Sequence, residues 1–163
     1  MNIGLKRIMG LLMTICMIIG MCITTYAAEY PDDLGKVIDG STLTDEEYSE
    51  SVIYNPARGN ILNRGVARIS NNGNGSVNAY GAVLPAVNCD TLRLEMTIQR
   101  LEGGSWANVK SYSDIAYNSS LLSKSYNYNV KGGYYYRVKA ACIAIKGGTT
   151  ETQMPVTNGV WID

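Results

Sequence analysis

The run from Tyr134 to Ile145 restricts the fold more than any other part of the chain. Tyr134, Tyr136, Val138, Ala140, Cys142 and Ala144 are apolar or aromatic, while Tyr135, Arg137 and Lys139 between them suit water. A period of two belongs to a β-strand with one face on a core and the other in solvent. The spacing predicts a long central strand that ends at Lys146-Gly147-Gly148, a turn signal, with a last polar strand beyond it.

The chain before it supplies partners of the same kind. Gly65 to Ser70 is the first candidate strand, and Asn71-Asn72-Gly73-Asn74-Gly75 turns it into Ser76 to Leu84, with Val77, Ala79, Gly81 and Val83 on one face. Thr91 to Leu101 alternates most cleanly, with Leu92, Leu94, Met96 and Ile98 on one side and Arg93, Glu95, Thr97 and Gln99 on the other. Glu102-Gly103-Gly104-Ser105 returns it into Trp106 to Tyr117 as a hairpin. Leu121 to Val130 places Leu122, Tyr126, Tyr128 and Val130 together, with Lys124 breaking the pattern, and Thr149 to Asp163 closes the set, Pro155 favouring an edge. About seven strands in residues 58–163 predict a single all-β domain, an antiparallel β-sandwich, with no internal repeat. By the same parity Tyr126, Tyr128, Tyr134 and Tyr136 point inward, in a chain with twelve tyrosines and no phenylalanine.

Residues 1–27 have a different character. Lys6 and Arg7 precede an apolar run from Ile8 to Ile23, and Thr25-Tyr26-Ala27 offers small residues at a cleavage site, so a secretory signal peptide is expected, with an uncleaved anchor as the rival. Cys16 and Cys22 would leave with it. Residues 28–57 read as an acidic flexible leader: from Ala28 to Glu50 eight acidic residues face one lysine, a net of −7. From Ser51 onward eleven Lys and Arg against six Asp and Glu give +5. Pro31-Asp32-Asp33, Asp39-Gly40-Ser41 and Asn55-Pro56 interrupt regular structure, and Thr44 with Glu47 offers a capping box for one short helix. After signal cleavage no stable membrane span is expected, and the product is secreted or held at the cell surface.

The strand order fits one immunoglobulin-like or fibronectin type III-like sandwich. Leu94-Glu95-Met96-Thr97-Ile98-Gln99-Arg100 with Gly104-Ser105-Trp106 and Val109-Lys110 resembles the C–C′ hairpin of secreted fibronectin-like domains, and Tyr134-Tyr135-Tyr136-Arg137-Val138-Lys139-Ala140 resembles their strand F. That order makes Thr91–Leu101 and Tyr134–Ile145 antiparallel neighbours, with Cys89 and Cys142 near one end. An even count of two cysteines in an exported chain suggests a Cys89–Cys142 disulfide; two free buried thiols are the alternative. Trp106 after the turn and Cys89 past the second strand depart from an antibody-type core. Arg58-Gly59-Asn60-Ile61-Leu62-Asn63, the Gly73-Asn74-Gly75 turn and Lys146-Gly147-Gly148-Thr149-Thr150-Glu151 together resemble a family of short exported proteins of Gram-positive anaerobes, known only as a domain of unknown function. The resemblance spans residues 39–163 and implies secretion and a β-sandwich; it brings no catalytic residue.

Chemistry is narrowed mainly by what is missing. With no histidine anywhere, Ser-His-Asp and Cys-His nucleophile systems and His-ligated zinc are excluded, and two cysteines cannot make a four-thiolate zinc site. No phosphate-binding glycine loop stands in a strand–helix context. Asp90, Glu95, Glu102, Asp114, Glu151 and Asp163 read as solvated carboxylates rather than a glycosidase pair, and the leader's acidic groups as a solubilising spacer rather than a calcium loop. No enzyme, cofactor or metal is therefore expected. The surface expected to bind is the outward face carrying Arg93, Glu95 and Gln99 beside Tyr135, Arg137 and Lys139, since Tyr and Arg are enriched at interaction hot spots. Its partner would be cell-wall glycan or another protein; +5 is too modest for nucleic acid. The competing expectation is a secreted antimicrobial or toxin-like effector whose acidic leader masks the basic domain.

Overall fold

A computed structural model describes residues 39–55 and 61–163, and these are all-β, with ten strands in two sheets and no helix. The strands are β1 (Leu43–Thr44), β2 (Tyr48–Tyr54), β3 (Leu62–Gly73), β4 (Ser76–Pro85), β5 (Cys89–Glu102), β6 (Ser105–Ser119), β7 (Leu122–Asn129), β8 (Tyr134–Lys146), β9 (Thr149–Gln153) and β10 (Gly159–Ile162). The larger sheet has the order β1-β10-β8-β5-β6, with β9 also paired to β8; the smaller has the order β2-β3-β4-β7.

The expected central strand is β8. It lies antiparallel to β5, Thr91 facing Ile145 and Arg100 facing Tyr136, so the two most regular alternations of the sequence share one core face. Leu92, Leu94, Met96 and Ile98 of β5 and Tyr136, Val138, Ala140, Cys142 and Ala144 of β8 are fully buried, packed with Ile69, Val77, Ala79 and Val83 of the smaller sheet. Sheet spacing at the centre is set by Gly81, where an added Cβ would stand 2.6 Å from the Met96 sulfur and 3.0 Å from Leu94 Cδ1. The buried Tyr136 hydroxyl donates to the Lys131 carbonyl at 2.7 Å, which is how a tyrosine serves as a core residue without an orphaned donor.

Lys124, the exception to the inward pattern, sits where edge strands β6 and β7 close one side. It lies 3.6 Å from Asp114, whose carboxylate also accepts the Tyr126 hydroxyl at 2.8 Å; Tyr126 stacks flat on Tyr112, centroids 4.1 Å apart. Lys124 thus stays exposed at this edge and reaches over to the largely covered Asp114 carboxylate.

Three expectations are corrected. Seven strands become ten. The segment after Lys146 is two strands, because Pro155 has no N–H to continue the ladder: β9 pairs with Cys142–Lys146, the chain touches β8 through Val156, and β10 resumes at Tyr134–Tyr136. The other two strands come from the stretch expected to be a flexible leader. Residues 43–44 pair in parallel with β10, and 48–54 pair with β3 over seven registered positions. Main-chain hydrogen bonds hold this segment in place, and its inward residues include Ser49 and Ser51, buried but polar. No helix opens at Thr44; its hydroxyl instead accepts the Glu46 amide across the bend between β1 and β2. Residues 28–38 and 56–57 of that stretch, like the signal-peptide expectation for 1–27, lie outside the described residues.

The disulfide is the third correction. Cys89 and Cys142 are both free and both buried. Cys142 faces Leu94, while Cys89 precedes Thr91, which faces Ile145, so the two are offset by five residues along the strands, about 17 Å. That is far beyond the reach of a disulfide. The Cys142 thiol donates to the Ala82 carbonyl at 3.3 Å, and burial pushes its pKa up to about 12; burial also raises that of Cys89.

Candidate functional site

The six residues expected to form a binding face do project from one side of the larger sheet. Strand alternation puts Arg93, Glu95 and Gln99 of β5 on the surface opposite the core, and the register sets Gln99 beside Arg137 and Thr97 beside Lys139. Tyr135 lies beside Trp161 of β10. On the other flank, β6 contributes Ser111 opposite Thr97; a bulge after Ile98 then shifts the register so that Asn108 faces Gln99.

Three zones follow. At the centre is a shallow depression of about 240 Å³, lined by Glu95, Thr97, Gln99, Asn108, Lys139 and Met154. Its polar rim is pre-ordered: the Gln99 side chain donates to Asn108 at 2.8 Å, and Thr97 and Ser111 share a hydrogen bond of 3.1 Å. It holds one carboxylate and one ammonium, so it is close to neutral. Arg93 stands beyond it, 3.5 Å from Glu95, a half-exposed pair of small energetic weight.

Toward β10 the face is filled by the protein itself. Arg137 donates from Nε to Gln99 at 2.9 Å and from Nη1 to the Gly40 carbonyl at 2.9 Å, and its guanidinium lies 4.2 Å over the Trp106 ring. Burial lowers its pKa from the ordinary guanidinium value. The indole in turn covers Gly159, where a Cβ would meet Trp106 Cη2 at 2.8 Å. Tyr135 meets Trp161 edge-on at 4.9 Å and donates to Asp45 at 3.3 Å; burial and then the Asp45 charge raise its pKa. Arg137 therefore borders the depression through its bond to Gln99, Tyr135 lies outside it, and Glu95, Gln99 and Lys139 line it.

Trp106, Asn108 and Met154 were not identified from the sequence. The bulge between Asn108 and Lys110 alters the parity of β6, so simple alternation does not show which of its residues join the face. A groove on the outer face of the smaller sheet, formed around Arg64 and Arg68, is signalled in the sequence only by two cations at i and i+4 of one strand.

The carboxylates of the domain are engaged individually. Asp90 accepts the Gly147 amide, Glu151 the Leu62 amide, Asp163 the Trp161 indole N–H and Asp114 the Tyr126 hydroxyl, while Glu95 and Glu102 contact Arg93 and Arg100. Among the described residues no group of three or more potential metal ligands converges, and no helix is long and apolar enough to cross a membrane.

Fold and face together define an all-β protein of two packed sheets with a hydrogen-bonded, nearly neutral depression on the larger one. Residues 34–160 match the model of a family of unknown function, DUF6147, and the chain belongs to that family. The match begins ahead of β1, so the strands found in the expected leader lie within the family's domain. Comparison with curated proteins and with solved structures finds no match.

Proposed function

We propose that this protein is exported by a cleaved signal peptide and serves as a non-catalytic binding module, an immunoglobulin- or fibronectin type III-like sandwich of the Gram-positive cell exterior. Its ligand on the larger sheet is an uncharged stretch of cell-wall glycan. The observation that carries this reading is the depression between Glu95, Gln99, Asn108 and Lys139. Amides, a hydroxyl and a balanced charge pair suit a ligand with many hydroxyls and no net charge, and pre-ordered partners reduce the entropy lost on binding. The test is co-sedimentation with purified peptidoglycan sacculi. Wild-type protein should pellet, and Asn108→Ala and Lys139→Glu should each weaken binding about tenfold while leaving the melting temperature in place. Sacculi that fail to retain the wild type, or variants that bind as well, would refute the reading; in that case a protein partner is the ligand class to pursue.

A second reading draws on residues 40–45. An acidic mask over an antimicrobial or toxin-like effector would pack onto Arg93, Arg137 and Lys139; of these, Arg137 meets the Gly40 carbonyl, and Asp45 accepts from the neighbouring Tyr135 hydroxyl. Under it, high salt would unmask activity against bacterial cells. Indifference of such cells to the protein at any ionic strength would dismiss it.

A further inference from the structure

The smaller sheet carries a groove of its own, on the face turned away from the core. Strand register pairs Tyr54 with Arg64 across β2 and β3, and Arg68 with Tyr80 across β3 and β4. In each pair the guanidinium lies over the tyrosine ring, 5.9 Å from the Tyr54 centroid and 4.7 Å from that of Tyr80. Between the pairs runs an apolar floor of Val52 and Val66, and the whole encloses about 450 Å³, roughly twice the depression on the other sheet.

Each arginine leaves one buried donor unmatched. Among the described residues the Nε of Arg64 and that of Arg68 are buried with no hydrogen-bond acceptor. Among the described residues Arg64 has no carboxylate within ion-pair distance, and Arg68 has only Glu50, at 4.0 Å. Covering Val52 and Val66 with aliphatic stems explains why long side chains lie flat here. It does not explain why both are arginines, why both are stacked on tyrosine, or why the Nε of each is left without an acceptor.

We propose that this groove binds a carboxylate-bearing polysaccharide, at a site separate from the depression on the larger sheet. A guanidinium presents parallel N–H donors that match the two oxygens of a carboxylate. The tyrosine rings and valine floor offer the flat apolar surface on which the C–H face of a pyranose ring packs. A phosphodiester chain would supply the anions but leave that surface without a partner. With Glu50 present, the groove's formal balance is only +1, which suits a chain with its charges spaced by sugar rings rather than a dense polyanion. Arg64 and Arg68 are four residues apart on one strand, about 13 Å, so a ligand that meets both must extend along β3 over several sugar units.

The test uses the full chain and an α-1,4-linked galacturonic acid oligomer as probe, with calorimetry as the readout. The same oligomer fully methyl-esterified keeps rings and linkage but removes the charge, and a polyphosphate of equal charge keeps the charge but removes the rings. The acidic oligomer should bind, more weakly as salt is raised, and both controls should bind at least tenfold more weakly. Arg64→Gln and Arg68→Gln should each lose tenfold or more. The corresponding lysine variants keep the charge and the aliphatic cover and should lose less; Glu50→Gln should tighten binding severalfold. Lys139→Glu, on the opposite sheet, should leave this affinity unchanged, which separates failure here from failure of the glycan reading above. The proposal is overturned if the acidic oligomer does not bind at millimolar concentration. Equal binding of either control, or arginine variants indistinguishable from wild type, overturns it equally.

Discussion

Alkylation of Cys142 in the native protein provides a quantitative check on the core. The thiol is fully buried between the sheets, hydrogen-bonded to the Ala82 carbonyl, and burial pushes its pKa up to about 12 from a reference of 9.0. Thiolate is the reactive form. At pH 8 the thiolate fraction therefore falls from about one in ten to about one in ten thousand, a slowing of roughly a thousandfold from ionisation alone. Steric exclusion multiplies it, so that labelling proceeds only through opening of the sheets and its rate reports an unfolding free energy. The assay is iodoacetamide labelling at pH 8 with peptide-resolved mass spectrometry, in buffer and in denaturant. In denaturant both Cys89 and Cys142 should label fully and at similar rates; in buffer Cys142 should be protected by a factor of a thousand or more. Native labelling of Cys142 within tenfold of the denatured rate would refute its placement. Peptides found cross-linked through Cys89 and Cys142 would refute the strand register that holds them about five residues apart.

Three further outcomes follow from the packing. Gly81→Ala should destabilise the protein by about 1–3 kcal/mol in urea titration, because the new methyl overpacks against Met96 and Leu94; without that contact the same change would stabilise slightly through the unfolded chain, so the sign decides. Glu151→Ala should cost about 1–3 kcal/mol by leaving the Leu62 amide without its acceptor, and Glu151→Gln, which retains a carbonyl, should recover most of it. The hydrogen bond to Asp114, with burial next, raises the pKa of Tyr126 above 10.0. The folded state then holds its proton more tightly than the unfolded chain, so this contribution is complete below about pH 10 and is lost as pH rises through the folded value. Tyr126→Phe should flatten part of the fall in urea midpoint between pH 8 and 11, the remainder belonging to the buried thiols of Cys142 and Cys89 and to Tyr112 and Tyr135; an unchanged slope would count against the Asp114 contact.

Legibility in the sequence tracked how far each strand relies on its own side chains. β5 and β8 bury every second residue, so their alternation located the core and the outward placement of Arg93, Glu95, Gln99, Tyr135, Arg137 and Lys139, while their antiparallel pairing was expected from the assumed strand order. β2 was hidden because its inward positions include Ser49 and Ser51, so it shows no apolar stripe and its acidic surroundings dominate the reading. A strand held by a neighbour's backbone leaves little trace in its own composition. The cysteines misled for a related reason: strand order placed them near one end, but only residue-level register shows the five-residue offset. For the arginine groove, parity was available at Arg64, Val66 and Arg68; the tyrosines that complete it come from β2 and β4 and meet only when the sheet forms.

The parallel pairing of β1 with β10 bears on the time at which this protein can be finished. Leu43 takes Gly159 as its partner, so a contact between the two ends of the domain spans more than a hundred residues of chain. Closing such a loop is entropically slow, and its reward arrives only after the intervening strands have assembled. While the chain is being synthesised, Leu43 and Thr44 have no β10 to join, and Arg137 lacks the Gly40 carbonyl that this pairing helps to position. A chain stopped after Asn158 should accordingly show no hydrogen-exchange protection at residues 43–44, whereas the full chain should. The last four residues of the sheet thus act as a completion signal: until they emerge, the domain remains open at its first strand.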